Sequence, residues 1–395
     1  MRFLHTSDWH VGKALRNRSR DDEYAGALAE VLDIARQEQV DAVLVAGDVF
    51  DSAVPSPEAE RIVFEFLREL AGARIPAIIV GGNHDHPKRL NAFGQILDLV
   101  GIHVRGEPLA ADEGGVLELP NRDGSETAVI AVLPWVSERR VRDFESLMKE
   151  GEHFADYAEG VARMMAHLAS SFRPGCINVL VSHVMLDGAI VGGEGAGERP
   201  LHVGQTYAVR PQRLPSEAHY VALGHLHRPQ EVLSGRGYYS GSLLQLDFGE
   251  VGQQKSVYLV DCAPNRPARV EAVPLSGGRP LRDIGSAKKG LTLEELKPLA
   301  QEADNAYLRV FVRVDRPFPG LADQVRELLP NAVDIVVERT DKTEEKRDPD
   351  LMRLNPQEMF ATYYRQRIHS AEPSKALMDL FNRLYQEVQD EAHQA

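Results

Sequence analysis

Cysteine is almost missing from this chain of 395 residues: Cys176 and Cys262 are the only two. They are too few for a disulfide framework and stand in no spacing that suits zinc. Long apolar runs are missing as well. No stretch is long enough to span a bilayer, and the opening MRFLHTSDWH lacks the apolar core of a signal peptide, so a cytoplasmic setting with no membrane attachment is expected. Internal repeats and low-complexity tracts are absent, which excludes solenoids and compositionally biased scaffolds. Positive charge is in deficit. With 45 basic and 59 acidic residues the net charge is −14, and composition alone argues against a nucleic-acid partner. Two features soften that objection. Several carboxylates read better as metal ligands, and basic residues gather locally as Lys13, Arg16, Arg18, Arg20, Lys88 and Arg89. The same residues also read as solvated surface charges, and net charge is silent about a partner protein that binds DNA.

The chain is too long for one average domain, so a large core with smaller attachments is expected. In its first two-thirds, short apolar runs at Arg2–Thr6, Ala42–Ala46, Ala77–Val80, Ala128–Leu133, Ile177–Val181, Tyr220–Leu223, Tyr238–Ser240 and Ser256–Val260 predict strands, several of them covered on both faces. Glu23–Gln37 and Pro57–Ala71 carry apolar residues at helical spacing, the second behind a Ser56-Pro57 cap. These alternations predict an α/β sandwich over residues 1–275. Ser137 to Arg173 reads as mostly helical, and the Gly-rich run from Asp187 to Gly204 as a loop. Ser276 to Pro280 reads as a linker to a small α+β module at 280–342, with strands at Ala306–Val314 and Ala332–Glu338 around a helix at Gly320–Leu329. A charged stretch, Thr340 to Pro349, precedes a helical segment at 350–395 with patterns at Pro356–Ile368 and Ser374–Ala392.

The chemistry concentrates in short motifs at the ends of these strands: Asp8-Trp9-His10, Gly47-Asp48-Val49-Phe50-Asp51, Gly82-Asn83-His84-Asp85, Ser182-His183 and Gly224-His225-Leu226-His227. In an open α/β sheet the loops beyond the strand ends leave a crevice where distant residues meet. Imidazole, carboxylate and amide oxygen without thiolate suit manganese, iron, zinc or similar ions. Asp8 and His10 can face one ion across a turn, and Asp48 can bridge two. His225 and His227, two apart, place both rings on one side of an extended segment. Each motif alone is weak, because an Asp-x-His triplet arises by chance and a lone histidine is more often structural. Their joint occurrence in order predicts a binuclear metal site.

The order and spacing resemble the calcineurin-like metallophosphoesterase superfamily. Residues 1 to about 260 resemble most closely its SbcD branch of double-strand-break repair nucleases, through SDWHVGK (7–13), DAVLVAGDVFDSAVPSPEAE (41–60), GNHDHPKRL (82–90), ALGHLHRPQ (222–230) and YYSGSLLQLDFGE (238–250). The resemblance implies a calcineurin-like α/β sandwich with a small α+β capping domain and C-terminal helices. It implies one ion held by Asp8, His10, Asp48 and His227 and another by Asp48, Asn83, His183 and His225, manganese being preferred over magnesium. His84 would then be catalytic, steadied by Asp85. The implied activities are 3′-to-5′ exonuclease and endonucleolytic hairpin opening on DNA. The implied partners are an SbcC-type coiled-coil ATPase held by the C-terminal helices and a second copy of the chain met through Pro57–Ala71 and Lys88–Leu99; the stripe Leu377, Leu380, Phe381 and Leu384 fits such anchoring by its helical spacing and equally reads as packing on its own domain. Two positions depart from the relatives' pattern: Asp51 stands near a histidine of archaeal and eukaryotic cousins, and His86 where a small residue is common.

A phosphoprotein phosphatase or small phosphodiesterase on the same metal scaffold is the alternative. Ser/Thr phosphatases follow the second aspartate motif with Arg-Gly, whereas Asp51 here is followed by Ser52 and Ala53. A structural protein with a decayed site is a third reading, and the complete set of ligand types speaks against it.

Overall fold

The structure is a computed structural model, and it describes residues 1–147, 156–192, 208–301, 305–339, 356–365 and 373–394. In chain order the first elements are β1 (Arg2–Thr6), α1 (Asp21–Gln37), β2 (Ala42–Val45), α2 (Pro57–Gly72), β3 (Ala77–Val80), α3 (Pro87–Leu97) and β4 (Ile102–Arg105). There follow β5 (Val116–Pro120), β6 (Thr127–Leu133), α4 (Glu138–Leu147), α5 (Tyr157–Ala169), β7 (Ile177–His183), β8 (Tyr220–Gly224), β9 (Gln230–Glu231), β10 (Gly237–Tyr239), β11 (Ser256–Ala263) and β12 (Arg266–Pro274).

Two six-stranded sheets lie face to face, in the orders β12-β11-β1-β2-β3-β4 and β5-β6-β7-β8-β10-β9. Strands β1 to β4 are mutually parallel, as are β6, β7, β8 and β10. Antiparallel strands flank both parallel blocks. Alternation along β2 shows why the layers form. Ala42 and Leu44 point into the layer between the sheets with Ile130, Val179 and Ala222, while Val43 and Val45 pack outward against Leu28, Val31, Ile62 and Phe66 of α1 and α2. A strand buried on both faces needs a continuous apolar run, which is what the sequence has. α5 covers the outer face of the second sheet with Val161, Met165 and Leu168. Ser56 caps α2 by accepting from the Ala59 N–H at 3.2 Å, a bond worth about 1 kcal/mol.

A third sheet, β13 (Leu281–Ile284), β14 (Tyr307–Val314) and β15 (Ala332–Arg339), is accompanied by the single turn α6 (Leu293–Leu296) and by α7 (Leu321–Leu328). The segment read as a linker is pinned: the Ser276 and Gly277 N–H groups donate to Glu30, and the Arg279 N–H donates to Glu23. Glu30 and Glu23 both lie on α1, so the chain crosses between sheets under restraint. By compactness, residues 1–313 and 318–338 form one unit, and residues 314–317 and 339–395 form another. The second unit contains α8 (Pro356–Tyr363) and α9 (Lys375–Gln394), where Phe360 and Phe381 stack with ring centroids 4.4 Å apart. Among the described residues no helix is long and apolar enough to cross a membrane. The Gly-rich run beyond residue 192, the charged stretch Thr340 to Pro349, residues 148–155 of the expected helical region and residues 366–368 of the first C-terminal pattern lie outside the described residues.

Candidate metal centre

Every motif singled out above lies at the C-terminal end of a parallel strand or in the loop just beyond it. Asp8 and His10 follow β1, Asp48 follows β2, Asn83 and His84 follow β3, His183 ends β7, and His225 and His227 follow β8. The loops are laced to one another: the Asp8 N–H donates to Gly47 O, and the His10 N–H to Asp48 O, both at 2.9 Å. Asp8, His10, Asp48 and His225 all adopt positive φ, at 50°, 49°, 51° and 108°. For residues with a Cβ that conformation costs on the order of 1–3 kcal/mol each. Strain of that size at one place persists only where the surrounding bonds impose it, and it marks a site built for something other than stability. Gly47, at φ 95°, has no such choice, since a Cβ there would overlap the His183 ring.

The distances bring the expected side chains together. Asp48 Oδ2 lies 3.5 Å from His10 Nε2 on one side and 3.5 Å from His183 Nε2 on the other. His10 Nε2 is 3.2 Å from His227 Nε2, and ligand atoms of Asp8, His10 and His227 lie within 4.8 Å of one another. Asn83 Oδ1 is 3.0 Å from both His183 Nε2 and His225 Nδ1. His84 also reaches within 4.8 Å of His10 and Asp48, so proximity alone does not separate a ligand from a proton donor. The residues that surround the cluster set its protonation. His183 Nδ1 donates to Ala46 O at 2.8 Å, and His227 Nδ1 faces Glu250 Oε1 at 2.9 Å. Both rings therefore carry their proton on Nδ1 and turn a lone pair on Nε2 toward the cluster. Burial pushes His10 down to about 3, with Asp51 offsetting only part of this, and pushes His225 down to about 3 and His183 well down. Burial, then the charges of Asp85 and Asp8, push Asp48 well up. Imidazole lone pairs thus converge on a carboxyl group that resists ionising without a nearby positive charge. The residues fit hard or borderline divalent cations, which supply the positive charge that the cluster is missing.

Asp85 has a task other than the expected one. Its carboxylate accepts from the N–H groups of Val49 at 3.1 Å, Phe50 at 3.0 Å and Gly82 at 2.9 Å, tying the β2 and β3 loops together. The His84 ring is oriented instead by the Asp51 carbonyl, which accepts from Nδ1 at 2.7 Å. The local basic residues are also largely committed. Lys13 pairs with Asp51, Arg16 with Asp247 and Asp334, Arg20 with Glu23, and Arg89 with Glu60. Lys88 and His86 stay exposed, and His86 accepts the Arg89 N–H at the start of α3.

Three contributors were not legible in the sequence. Glu250 sits behind His227, Trp135 stacks on the His225 ring at 5.4 Å and 22°, and the Ser7 hydroxyl donates to Asp8 Oδ2 at 2.5 Å. Trp135 stands two residues beyond β6, and its place past the end of an apolar strand was the available signal. For Glu250 the spacing offered none.

A family model described as calcineurin-like phosphoesterase matches residues 1–229, and one described as the Type 5 capsule protein repressor C-terminal domain matches residues 278–367. The chain is 34% identical to the SbcD component of the nuclease SbcCD of Bacillus subtilis, with 99% of each chain covered. It is 33% identical to the corresponding SbcCD component from Rhodobacter capsulatus, covering 92% of this chain and 94% of the relative. To that of Escherichia coli K12 it is 27% identical, covering 88% and 87%.

Proposed function

The chain belongs to the calcineurin-like phosphoesterases, within the group of SbcD nucleases, and from that premise we propose a two-metal DNA nuclease that works with an SbcC-type ATPase in DNA repair and recombination. The observation that supports the metal reading best is the position of Asp48 Oδ2, 3.5 Å from imidazole nitrogens of both His10 and His183. One shared carboxylate oxygen between two lone-pair donors is the arrangement a bridging ligand requires. Asp8, His10, Asp48 and His227 would hold one ion, and Asp48, Asn83, His183 and His225 the other. When bound, two divalent ions, manganese before magnesium, supply a water with its pKa lowered to about 7 and the charge that clamps a scissile phosphate.

The chain's own residues do the rest. His84 is the proton donor: with Nδ1–H committed to the Asp51 carbonyl, a proton taken up at Nε2 is the one it delivers to the departing 3′ oxygen. Asp85 is a positioning residue that keeps the Asp48 and Asn83 loops in register. The activities proposed are 3′-to-5′ exonuclease and endonucleolytic hairpin opening, in the cytoplasm. We divide the chain into a nuclease domain at 1–275, a cap at 280–342 that steers DNA, and a partner-binding segment at 350–395. Leu380 and Leu384, exposed on α9, are the anchors offered to a coiled coil. A homodimer through α2 and α3 completes the proposal; Ile96 and Leu99, at the end of α3 and just past it, are 71% and 85% exposed.

The test is cleavage of labelled duplex and hairpin DNA by the full chain, in manganese against magnesium, with and without the ATPase. His84→Ala is expected to keep both metals and lose roughly 100- to 10,000-fold in rate. Undiminished cleavage by that variant would overturn the proposed mechanism.

A further inference from the structure

We propose that Glu250 and Lys255 form a positioning pair that aims the His227 imidazole and makes the Asp8, His10 and His227 side of the centre the tighter of its two cation positions. The inference rests on the two-metal reading above. Glu250 is 0% exposed and Lys255 5%. The pair grips one histidine twice: Glu250 Oε1 meets the ring at Nδ1, 2.9 Å away, and Lys255 Nζ donates to the His227 backbone carbonyl at 2.8 Å. The two charges join at 2.7 Å through Glu250 Oε2, which also accepts the Leu246 N–H at 3.1 Å.

Stability gives no reason for this arrangement. Taking both charges out of water is costly, and apolar residues of similar volume commonly do as well or better. Ligand chemistry does give a reason. A carboxylate on Nδ1 fixes the proton there, leaves the lone pair on Nε2, and raises the basicity of that nitrogen toward a cation. His227 Nε2 is the atom that lies 3.2 Å from His10 Nε2. His10 in turn has Asp51 Oδ1 3.5 Å from its own Nδ1, so both imidazoles on this side face a carboxylate. On the other side His183 leans on the neutral Ala46 carbonyl at 2.8 Å, and Asn83 offers a neutral amide oxygen. The two positions share Asp48 and differ in the charge behind His227 and His10 as against His183.

The test uses the full chain with Glu250→Gln and with Glu250→Gln combined with Lys255→Met, the second removing the buried ammonium that the first leaves unpaired. Manganese binding is followed by calorimetry, and the His227 ring nitrogens of the metal-free chain by ¹⁵N NMR. Wild type is expected to bind two manganese ions in a tighter and a weaker class. In the double variant the tighter class weakens by about 10- to 100-fold and the weaker class does not move. The His227 proton is no longer fixed on Nδ1, and cleavage recovers at correspondingly higher manganese. Glu250→Asp, which keeps the charge at a shorter reach, shifts the same class by a smaller factor and decides the matter if the double variant does not fold. A folded double variant with both affinities unchanged, with both weakened alike, or with the wild-type His227 tautomer would overturn the proposal. Wild type that binds no manganese would instead sink the reading it rests on.

Discussion

Asp48→Asn separates two things that one carboxylate does. Asp48 Oδ1 accepts the His84 N–H at 2.8 Å, and an asparagine keeps that bond through its amide oxygen. Oδ2, placed between His10 and His183, becomes an NH₂ group that can bind no cation. In the metal-free chain the change is a relief. Burial, then Asp85 and Asp8, raise the Asp48 carboxyl, so the folded state retains a proton that the unfolded chain releases. Metal-free stability of the wild type therefore falls as pH rises above the ordinary carboxylate value near 4, and the variant loses that slope. Replacing a buried carboxyl that must either keep a proton or stand ionised beside Asp85 and Asp8 is expected to stabilise the metal-free fold by about 1–3 kcal/mol. In manganese the balance reverses. Two ions present at about 100 times their dissociation constants stabilise by about 2.7 kcal/mol each. For a chain of 395 residues, at about 1–2 °C per kcal/mol, manganese should lift the wild-type Tm by roughly 5–10 °C. Without its shared anion the variant should gain almost nothing. Differential scanning calorimetry near neutral pH, in chelator and in manganese, reads both effects. The expected result is a crossing, with the variant melting above wild type in chelator and below it in manganese. A variant that melts lower in chelator, or gains as much from manganese, would show that Asp48 is not the bridge.

Three other outcomes follow from the same geometry. Burial holds His10 and His225 down to about 3, so the stability tied to their neutral rings is present above the unfolded value near 6.5 and is lost as pH falls toward 3; denaturant titrations of the metal-free chain at descending pH should show that loss, and a flat profile contradicts it. Leu99→Glu places a charge on a side chain that is 85% exposed, so monomer stability should move by no more than about 0.5 kcal/mol while sedimentation should show the proposed dimer dissociating; an unchanged dimer removes α3 from the interface. A chain ending at Arg347 should still cleave DNA but no longer co-purify with the SbcC-type ATPase, and retained co-purification would place the partner site elsewhere.

What the sequence made legible was the inside of each sheet, and what it hid was the edges. Central strands such as β2 and β3 are buried on both faces, so their runs are apolar throughout and need no context to be read. The longer strands that went unread, β4, β5, β12 and β13, all lie at sheet edges. β12 is mostly exposed and carries Pro267 and Pro274, a pattern that argues against a central strand but is tolerated where one side of the ladder is open. Ser276 to Pro280 reads as a linker because glycine and proline report backbone freedom. Only a long-range partner, here the carboxylates of Glu23 and Glu30, can take that freedom away.

The site divides along the same line. The candidate ligands sit at strand ends, and strand ends announce themselves by where an apolar run stops, so Asp8, Asp48, Asn83, His183 and His225 could each be singled out by a local rule. Orientation is different in kind. Asp85 holds loops and leaves the His84 ring to the Asp51 carbonyl, because a carboxylate adjacent in sequence is free to point away. Glu250 reaches His227 only because its turn joins β10, which pairs with β8, to β11, which pairs with β1 in the other sheet. The four positive-φ residues make the same point energetically. None belongs to a type that prefers that backbone strongly enough to impose it, so the strain is placed there by the assembled loops and has to be offset by bonds that exist only once both sheets are in place. The identity of the donors is therefore a property of the sequence, and their poise toward a cation is a property of the fold.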